Sequence, residues 1–304
     1  MGCRTAPTVC PSLATMTTAA ARPRVLLATF QVLPDGEPGG AALVAALVER
    51  GVDAAWAVWD DASVDWAAAD LVAVRSTWDY HRRLPEFLDW ARRTADVTPM
   101  LNGPATFAWN ADKSYLTTLG EHVPVVPTLP VDDATLLPVL ADALERWGTV
   151  VVKPRTGAGG VGVVVLDGLR DDRLEGLTAG PWVAQPLVES VRTEGEVSVF
   201  VLGGRAVAQV DKLPAAGEIR VHELYGGRSR PVPVGDETGG VAVTAVDAAQ
   251  SLLGTGLDYA RVDLMRWDGA WAVSELELIE PGLYLDVAPE LAGLFADLVP
   301  SRLR

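Results

Sequence analysis

The sequence predicts an α/β protein of two or three lobes, on three observations. Apolar runs of strand length alternate with amphipathic helices over the first third of the chain, the pattern of a parallel sheet. From Thr149 onward, strand-like runs follow one another through glycine-rich turns, which is how antiparallel strands read. The chain has 304 residues, 49% of them hydrophobic, enough for a large core that divides.

In chain order, Arg24 to Phe30 is a buried first strand, and a Gly/Pro loop leads into a helix at Ala41 to Arg50, stopped by Gly51. Val52 to Trp59 and Asp70 to Arg75 are further strands, and Leu84 to Arg93 is a helix. A second unit starts near Trp109, where Asn110 can cap a helix carrying Lys113. Val123 to Thr128 is extended, and a helix broken by Pro138 runs to Trp147. Strands follow at Thr149 to Arg155, Val161 to Leu166 and Trp182 to Glu189. The last unit has strands at Glu196 to Leu202 and Arg205 to Lys212, a loop to Arg230, a helix at Val241 to Leu253, a hairpin and a closing helix.

Composition excludes several classes. A net charge of −15 argues against nonspecific binding to nucleic acid or anionic membranes. No apolar run approaches the roughly 18 residues of a membrane span. Both cysteines, Cys3 and Cys10, lie in the first ten residues, so the body has no disulfide, cysteine nucleophile or cysteine metal site. His81, His122 and His222 are scattered and give no zinc spacing, and His81 and His122 read as surface residues. Residues 1–22 read as a disordered tail without the apolar core of a signal peptide, and Met16 is an alternative start. A cytoplasmic location is the default. Most of the ten tryptophans fall on amphipathic faces and read as core.

The acids near the end of the chain carry the most chemistry. Asp263, Glu275 and Glu277 sit on two strand-like arms joined at Asp268-Gly269. With a three-residue turn, Trp267 to Gly269, residue 266 pairs with 270 and Asp263 faces 273. All three acids then share one face. Carboxylates on an otherwise apolar face repel unless a cation lies between them, and hard oxygens suit Mg²⁺. An edge hairpin with its acids in water is the other reading. Gly157-Ala-Gly-Gly-Val-Gly162 joins two strands, with Lys153 at its base. It is neither a P-loop nor a dinucleotide fingerprint, because no Gly-Lys-Ser/Thr and no helix follows. A glycine hairpin can lay backbone N–H groups over phosphates, and Lys153 can reach them as a point charge.

Taken together, these motifs resemble the ATP-grasp ligases, in the branch with glutathione-synthetase-like and ribosomal-protein-glutamate-ligase-like ATP domains. Asn110-Ala-Asp-Lys113 resembles the helix of the first ATP lysine. Val151-Val-Lys153-Pro154 with Gly157, Gly159, Gly160 and Gly162 resembles the second lysine and glycine loop. The run holding Gln185, Leu187 and Val188 resembles the hinge that holds adenine through backbone groups. Gly195-Glu196-Val-Ser198 stands in place of a Gly-x-Asp-x-Arg pattern, Lys212 and Gly217 to Gly227 resemble the basic loop near the transferred phosphate, and the three acids match the Mg²⁺ pattern. Departures are Glu277 where Asn is common, Ser198 where Arg is common, and His222 where an amide is common. Arg75-Ser-Thr-Trp78-Asp79-Tyr80, Asp211 to Arg220 and Glu275 to Pro281 are similar to a sub-branch that includes enzymes closing O-ureido-D-serine into D-cycloserine.

The resemblance implies an ATP-grasp fold: an N-terminal α/β lobe (23–108) followed by two α+β subdomains (109–187 and 188–304) clasping ATP. It implies a ligase that activates a small amino-acid-like carboxylate as an acyl phosphate for attack by nitrogen. Lys113 and Lys153 would hold α- and β-oxygens, and Mg²⁺ on Asp263, Glu275 and Glu277 would bridge the β- and γ-phosphates. Arg220 and Lys212 would steady the acyl phosphate, and the glycine hairpin would close as a lid. Arg75, Ser76, Asp79, His222 and Glu280 are the expected substrate residues, while Tyr80 reads as packing. Arg75 would pair with a substrate carboxylate, its other reading being a structural pair with Asp79. Glu280 would be a substrate amine ligand or a more distant acid. A homodimer is compatible with the resemblance. A small-molecule kinase and a non-catalytic nucleotide-binding protein are the alternatives.

Overall fold

The computed structural model describes residues 22–177 and 180–303. Nearly all of the expected tail, with Cys3, Cys10 and Met16, lies outside the described residues. The N-terminal lobe is built from β1 (Arg24–Thr29), α1 (Gly40–Glu49), β2 (Asp53–Val58), β3 (Leu71–Ser76) and α2 (Leu84–Ala95). The three strands are parallel in the order β2-β1-β3. All of β3 and all but the first residue of β1 are buried, as expected of parallel strands covered on both faces.

Next come α3 (Gly103–Asn110) and α4 (Tyr115–Leu119). Asn110 ends α3 rather than capping a helix. Its side chain bonds the carbonyl of Leu276 (2.7 Å) and the N–H of Leu278 (2.8 Å), which ties α3 to the last hairpin. Lys113 therefore stands in the turn between two helices.

A four-stranded antiparallel sheet follows, ordered β4-β7-β5-β6: β4 (Leu129–Val131), β5 (Val150–Pro154), β6 (Val164–Leu166) and β7 (Trp182–Pro186). Helix α5 (Leu136–Trp147) covers it through Leu140 and Ala143. Pro138 does not break α5, because it falls in the first turn, where no N–H partner is needed.

The largest sheet has five antiparallel strands, ordered β10-β9-β8-β11-β12. They are β8 (Glu196–Leu202), β9 (Arg205–Leu213), β10 (Arg228–Val232), β11 (Tyr259–Trp267) and β12 (Ala270–Glu277). Helix α6 (Asp236–Leu253) packs on it, starting five residues before the expected Val241. Gly239, in the first turn of α6, is a close approach: a Cβ there would meet Val234 at 2.9 Å. The closing segment forms α7 (Glu290–Ala296) and α8 (Val299–Arg302).

Two segments join cores across the sheets, the closing helices packing on Phe200, Leu202 and Val210 of the five-stranded sheet as well as on the N-terminal lobe. Tyr115, Leu116 and Leu119 sit in the core of the five-stranded sheet, not the four-stranded one. Leu291, Phe295 and Val299 share a core with β1 and α1 of the N-terminal lobe.

Candidate active site

A cavity of about 220 Å³ lies between the four- and five-stranded sheets. Val151, Val163 and Leu187 wall it from one side, Met265 and Leu276 from the other. This gives a flat apolar slot ending in charged groups.

The charged end depends on an irregularity in the last hairpin. β11 and β12 are joined by a two-residue turn, Asp268-Gly269, with φ of 50° and 79°, the left-handed pair that a tight hairpin requires. The expected three-residue turn is therefore corrected, and Trp267 pairs with Ala270. Continued unbroken, that register would set Asp263 opposite Ser274 and turn Glu275 and Glu277 to the other face. The ladder instead shifts: Leu264 faces Val273, Asp263 faces Glu275 and Arg261 faces Glu277. Ser274 is the extra residue of a bulge. Its hydroxyl lies 3.1 Å from the Asp263 carbonyl and 3.2 Å from Glu196 Oε2. The shared acidic face thus arises from a shorter turn and a bulge together.

Each acid on that face meets a cation. Asp263 is contacted by Arg261 (3.0 and 2.9 Å), Lys212 (3.3 Å) and the Ser198 hydroxyl (2.6 Å). Burial opposes its charge, but Arg261 and Lys212 overcome this and hold it well below the ordinary carboxylate range. Glu275 lies 3.0 Å from Lys113 Nζ, which also donates to the Gly157 carbonyl at 2.6 Å. Lys212 pairs with Glu196, and Arg261 with Glu277. Burial pushes Glu277 up to about 7, Arg261 opposing and Asp263 and Glu275 adding to the rise. Burial pulls Lys153 down, Glu275 opposing and Lys113 adding. Lys153 makes no ion pair among the described residues.

Among the described residues no three His, Cys, Asp or Glu side chains form a ready metal cage, because these acids are turned toward protein cations. The donor set still fits Mg²⁺ in kind, with carboxylate oxygens from one face and space for phosphate oxygens. Lys113, Lys153, Lys212 and Arg220 line the same cavity and fit a polyphosphate.

The remaining expected residues divide. Gly157, Gly159 and Gly160 line the cavity, and Gly162 supports the turn behind it. Gly159, Gly160 and Gly162 have φ of 62°, 71° and 77°, and a Cβ on Gly162 would meet Pro154 at 2.9 Å. At the hinge, Gln185, Leu187 and Val188 line the slot; the Leu187 N–H is taken by Thr149 (3.1 Å), and Gln185 Nε2 by Thr128 (2.8 Å). Arg220 pairs with Glu218 at 2.6 Å and lies over the Tyr225 ring at 3.5 Å. His222 lines the cavity, but its Nδ1 accepts from Leu224 N–H and caps a short turn.

Arg75, Ser76 and Asp79 do not reach the cavity. The Arg75 side chain is fully buried: it donates to the Pro281 carbonyl, lies 3.6 Å from Glu37, and stacks on Tyr259 and Phe295. Its expected pair with Asp79 is also absent, since Asp79 accepts from Trp59 and Arg83. Ser76 is buried against Thr29. Strand β3 ends against the segment after β12 and not against a ligand space. His81, expected at the surface, is half-buried, with Nδ1 unpartnered among the described residues.

Sequence reasoning missed Arg261, Tyr80 and Tyr284, all of which line the cavity. Arg261 was findable, since it stands two residues before Asp263 and so on the same face. Tyr284 carried no signal; it adopts φ of 53°.

Comparison with known proteins gives concordant findings. A family model described as the N-terminal domain of D-cycloserine synthetase DcsG matches residues 25–102. The cycloserine biosynthesis protein DcsG of Streptomyces lavendulae is 32% identical over 278 residues, covering 84% of this chain and 90% of that protein. The crystal structure of D-cycloserine synthetase DcsG superposes with a TM-score of 0.83 at 29% identity, covering 92% of this chain and 100% of that one. The ATP-grasp ligase PsnB, complexed with a phosphomimetic variant of its minimal precursor, Mg and ADP, gives a TM-score of 0.64 at 18% identity, covering 92% and 98%. This last likeness is one of fold.

Proposed function

The chain belongs to the ATP-grasp ligases of the D-cycloserine synthetase family, and on that premise we propose that it activates a small carboxylate as an acyl phosphate for attack by a nitrogen nucleophile, intramolecular where both groups lie on one molecule. It is an ATP-dependent, C–N bond-forming ligase. The observation that carries the finer reading is the acidic face made by the Ser274 bulge, set among Lys113, Lys153 and Lys212 in one cavity.

The chemistry follows from what these residues do. A carboxylate is a poor electrophile, and phosphoryl transfer to it is mainly a matter of neutralising and aligning charge. The apolar slot receives adenine. Lys113 and Lys153 stand where they neutralise phosphate oxygens, and in doing so Lys113 leaves Glu275. Asp263, Glu275 and Glu277 would hold Mg²⁺, which supplies charge stabilisation at the transferred phosphoryl group when bound. Arg220, stacked on Tyr225 at the cavity mouth, is placed to meet the acyl phosphate and exclude water with the glycine hairpin. The nitrogen then bonds to the acyl carbon, phosphate leaves with the carboxylate oxygen, and the nitrogen loses a proton.

No helix among the described residues is long and apolar enough to cross a membrane. The test is ADP release with Mg·ATP across D- and L-amino acids, including O-ureido-D-serine, with mass analysis of products. Formation of ADP, phosphate and an amide-type or cyclised product is expected. A product that retains the phosphoryl group would replace the ligase reading with a kinase.

A further inference from the structure

The two lysines assigned to phosphate come from separate packing units. Lys113 belongs to the five-stranded side, because the residues on either side of its turn are bonded to β12 and the segment after it. Asn110 holds the Leu276 carbonyl and the Leu278 N–H, and the Tyr115 hydroxyl lies 2.9 Å from the Leu276 carbonyl and 2.7 Å from its N–H. Lys153 belongs to the four-stranded side, in β5 opposite Val183 of β7. A grip on one polyphosphate from two units needs those units held at a fixed spacing.

Asp112 and Arg155 tie the two together. Arg155 Nε donates to Asp112 Oδ1 at 2.8 Å, and Arg155 Nη2 donates to Asp112 Oδ2. A two-pronged pair of this kind fixes orientation as well as distance. The Arg155 carbonyl accepts from the Lys113 N–H at 2.8 Å. Each partner is braced in its own unit: Asp112 Oδ1 accepts from the Ser114 N–H at 2.9 Å, and the Arg155 N–H donates to the Pro181 carbonyl at 3.1 Å. Asp112 adjoins Lys113 in the chain, and Arg155 stands two residues beyond Lys153. Among the described residues this is the one ion pair that joins residues 129–187 to the rest of the chain. Neither Asp112 nor Arg155 lines the cavity. The contact of Lys113 Nζ with the Gly157 carbonyl, at 2.6 Å, ends when the amine turns to a phosphate, whereas the Arg155 pair does not compete with a ligand.

We propose that Asp112 and Arg155 are positioning residues: their pair sets the spacing of Lys113 and Lys153, and through it the grip on the phosphates of the nucleotide. This rests on the nucleotide site of the ligase reading and adds to it two residues that do not touch the ligand. The side chains are 25% and 36% exposed, so the contribution of the pair to global stability is small. Misplacing a binding group by about 1 Å is costly by comparison.

The test compares Mg·ATP with adenosine, which lacks the phosphates. Calorimetry reads the binding of Mg·ATP, and ligand-observed NMR that of adenosine. The proteins are the wild type, Asp112→Asn, Arg155→Met, Arg155→Lys and the Asp112→Asn/Arg155→Met double variant, each with its unfolding transition. The preference for Mg·ATP over adenosine is expected to fall at least about 10-fold in Asp112→Asn and in Arg155→Met, with adenosine affinity within about 2-fold of wild type. The double variant should bind no more weakly than the weaker single, since one interaction is lost in all three. Arg155→Lys keeps the charge without the fork, so its preference should fall by a smaller factor, and it carries the test if Arg155→Met does not fold. An unchanged preference in any folded single variant overturns the proposal. Equal losses for both ligands also overturn it, because they mark a general loosening of the site, and so do losses that multiply in the double variant. Failure of the wild type to bind Mg·ATP overturns the nucleotide reading and the proposal together.

Discussion

Asp263 faces Glu275 across the last hairpin because Ser274, between Glu275 and the regular ladder, faces nothing. Removing Ser274 should close the bulge and leave an unbroken ladder in which Glu275 still faces Asp263 and Glu277 still faces Arg261. Deletion is therefore expected to keep ATP turnover measurable, as is Ser274→Ala, which keeps the bulge and should cost about 1–3 kcal/mol of stability. ADP release and denaturant unfolding check both. Loss of turnover in a folded deletion variant would show that a common face for the acids is not enough and that the bulge itself is needed.

Glu275 and Lys153 line the cavity, and the proposed function assigns them to the nucleotide. Glu275→Gln and Lys153→Ala should each lower kcat/KM for ATP by at least about 100-fold with the fold intact. Glu275→Gln should also raise the Mg²⁺ concentration needed for half-maximal rate. A wild-type rate in either variant would remove that residue from the site.

Arg75 is structural in this fold. Arg75→Ala strands the buried Glu37 carboxylate and the Pro281 carbonyl, and such a loss costs about 3–5 kcal/mol. A large fall in unfolding free energy is expected. Unchanged stability with a raised KM for the carboxylate alone would return Arg75 to the substrate.

Glu277 gives a pH signature. Its carboxyl is raised to about 7 in the ligand-free protein, so near neutrality it is partly protonated, below that range mostly protonated, and well above it ionised. Binding of Mg·nucleotide favours the ionised form and should release a proton near pH 7, but not near pH 9. Calorimetry in buffers of different ionisation enthalpy reads this directly. The release should be reduced in Glu277→Gln; an identical release in that variant would assign the proton elsewhere.

The main architecture and the gathering of most of the expected lysines, glycines and acids around one cavity are legible in the sequence, because they rest on periodicity and on turn residues. Strands β1 and β3 are continuous apolar runs, Gly51 ends α1, and Lys113, Lys153 and the three acids gather around one cavity. The hairpin register is not legible: a two-residue turn and a bulge shift it twice, and parity alone does not distinguish that from one longer turn. Short strands such as β4 and β10 carry too few residues for a period. Arg75 misleads because a charged residue at the end of a parallel strand reads as a ligand contact, and only the packing of Glu37, Tyr259, Phe295 and Pro281 around it shows otherwise.

The most direct test of carboxylate activation follows the carboxylate oxygen. A substrate found by ADP release is labelled with ¹⁸O in its carboxylate, and the phosphate produced is analysed by mass. Transfer of one labelled oxygen to phosphate per turnover is the expected result, since the acyl phosphate breaks between carbon and that oxygen. Unlabelled phosphate, with the label kept in the product, would contradict passage through an acyl phosphate.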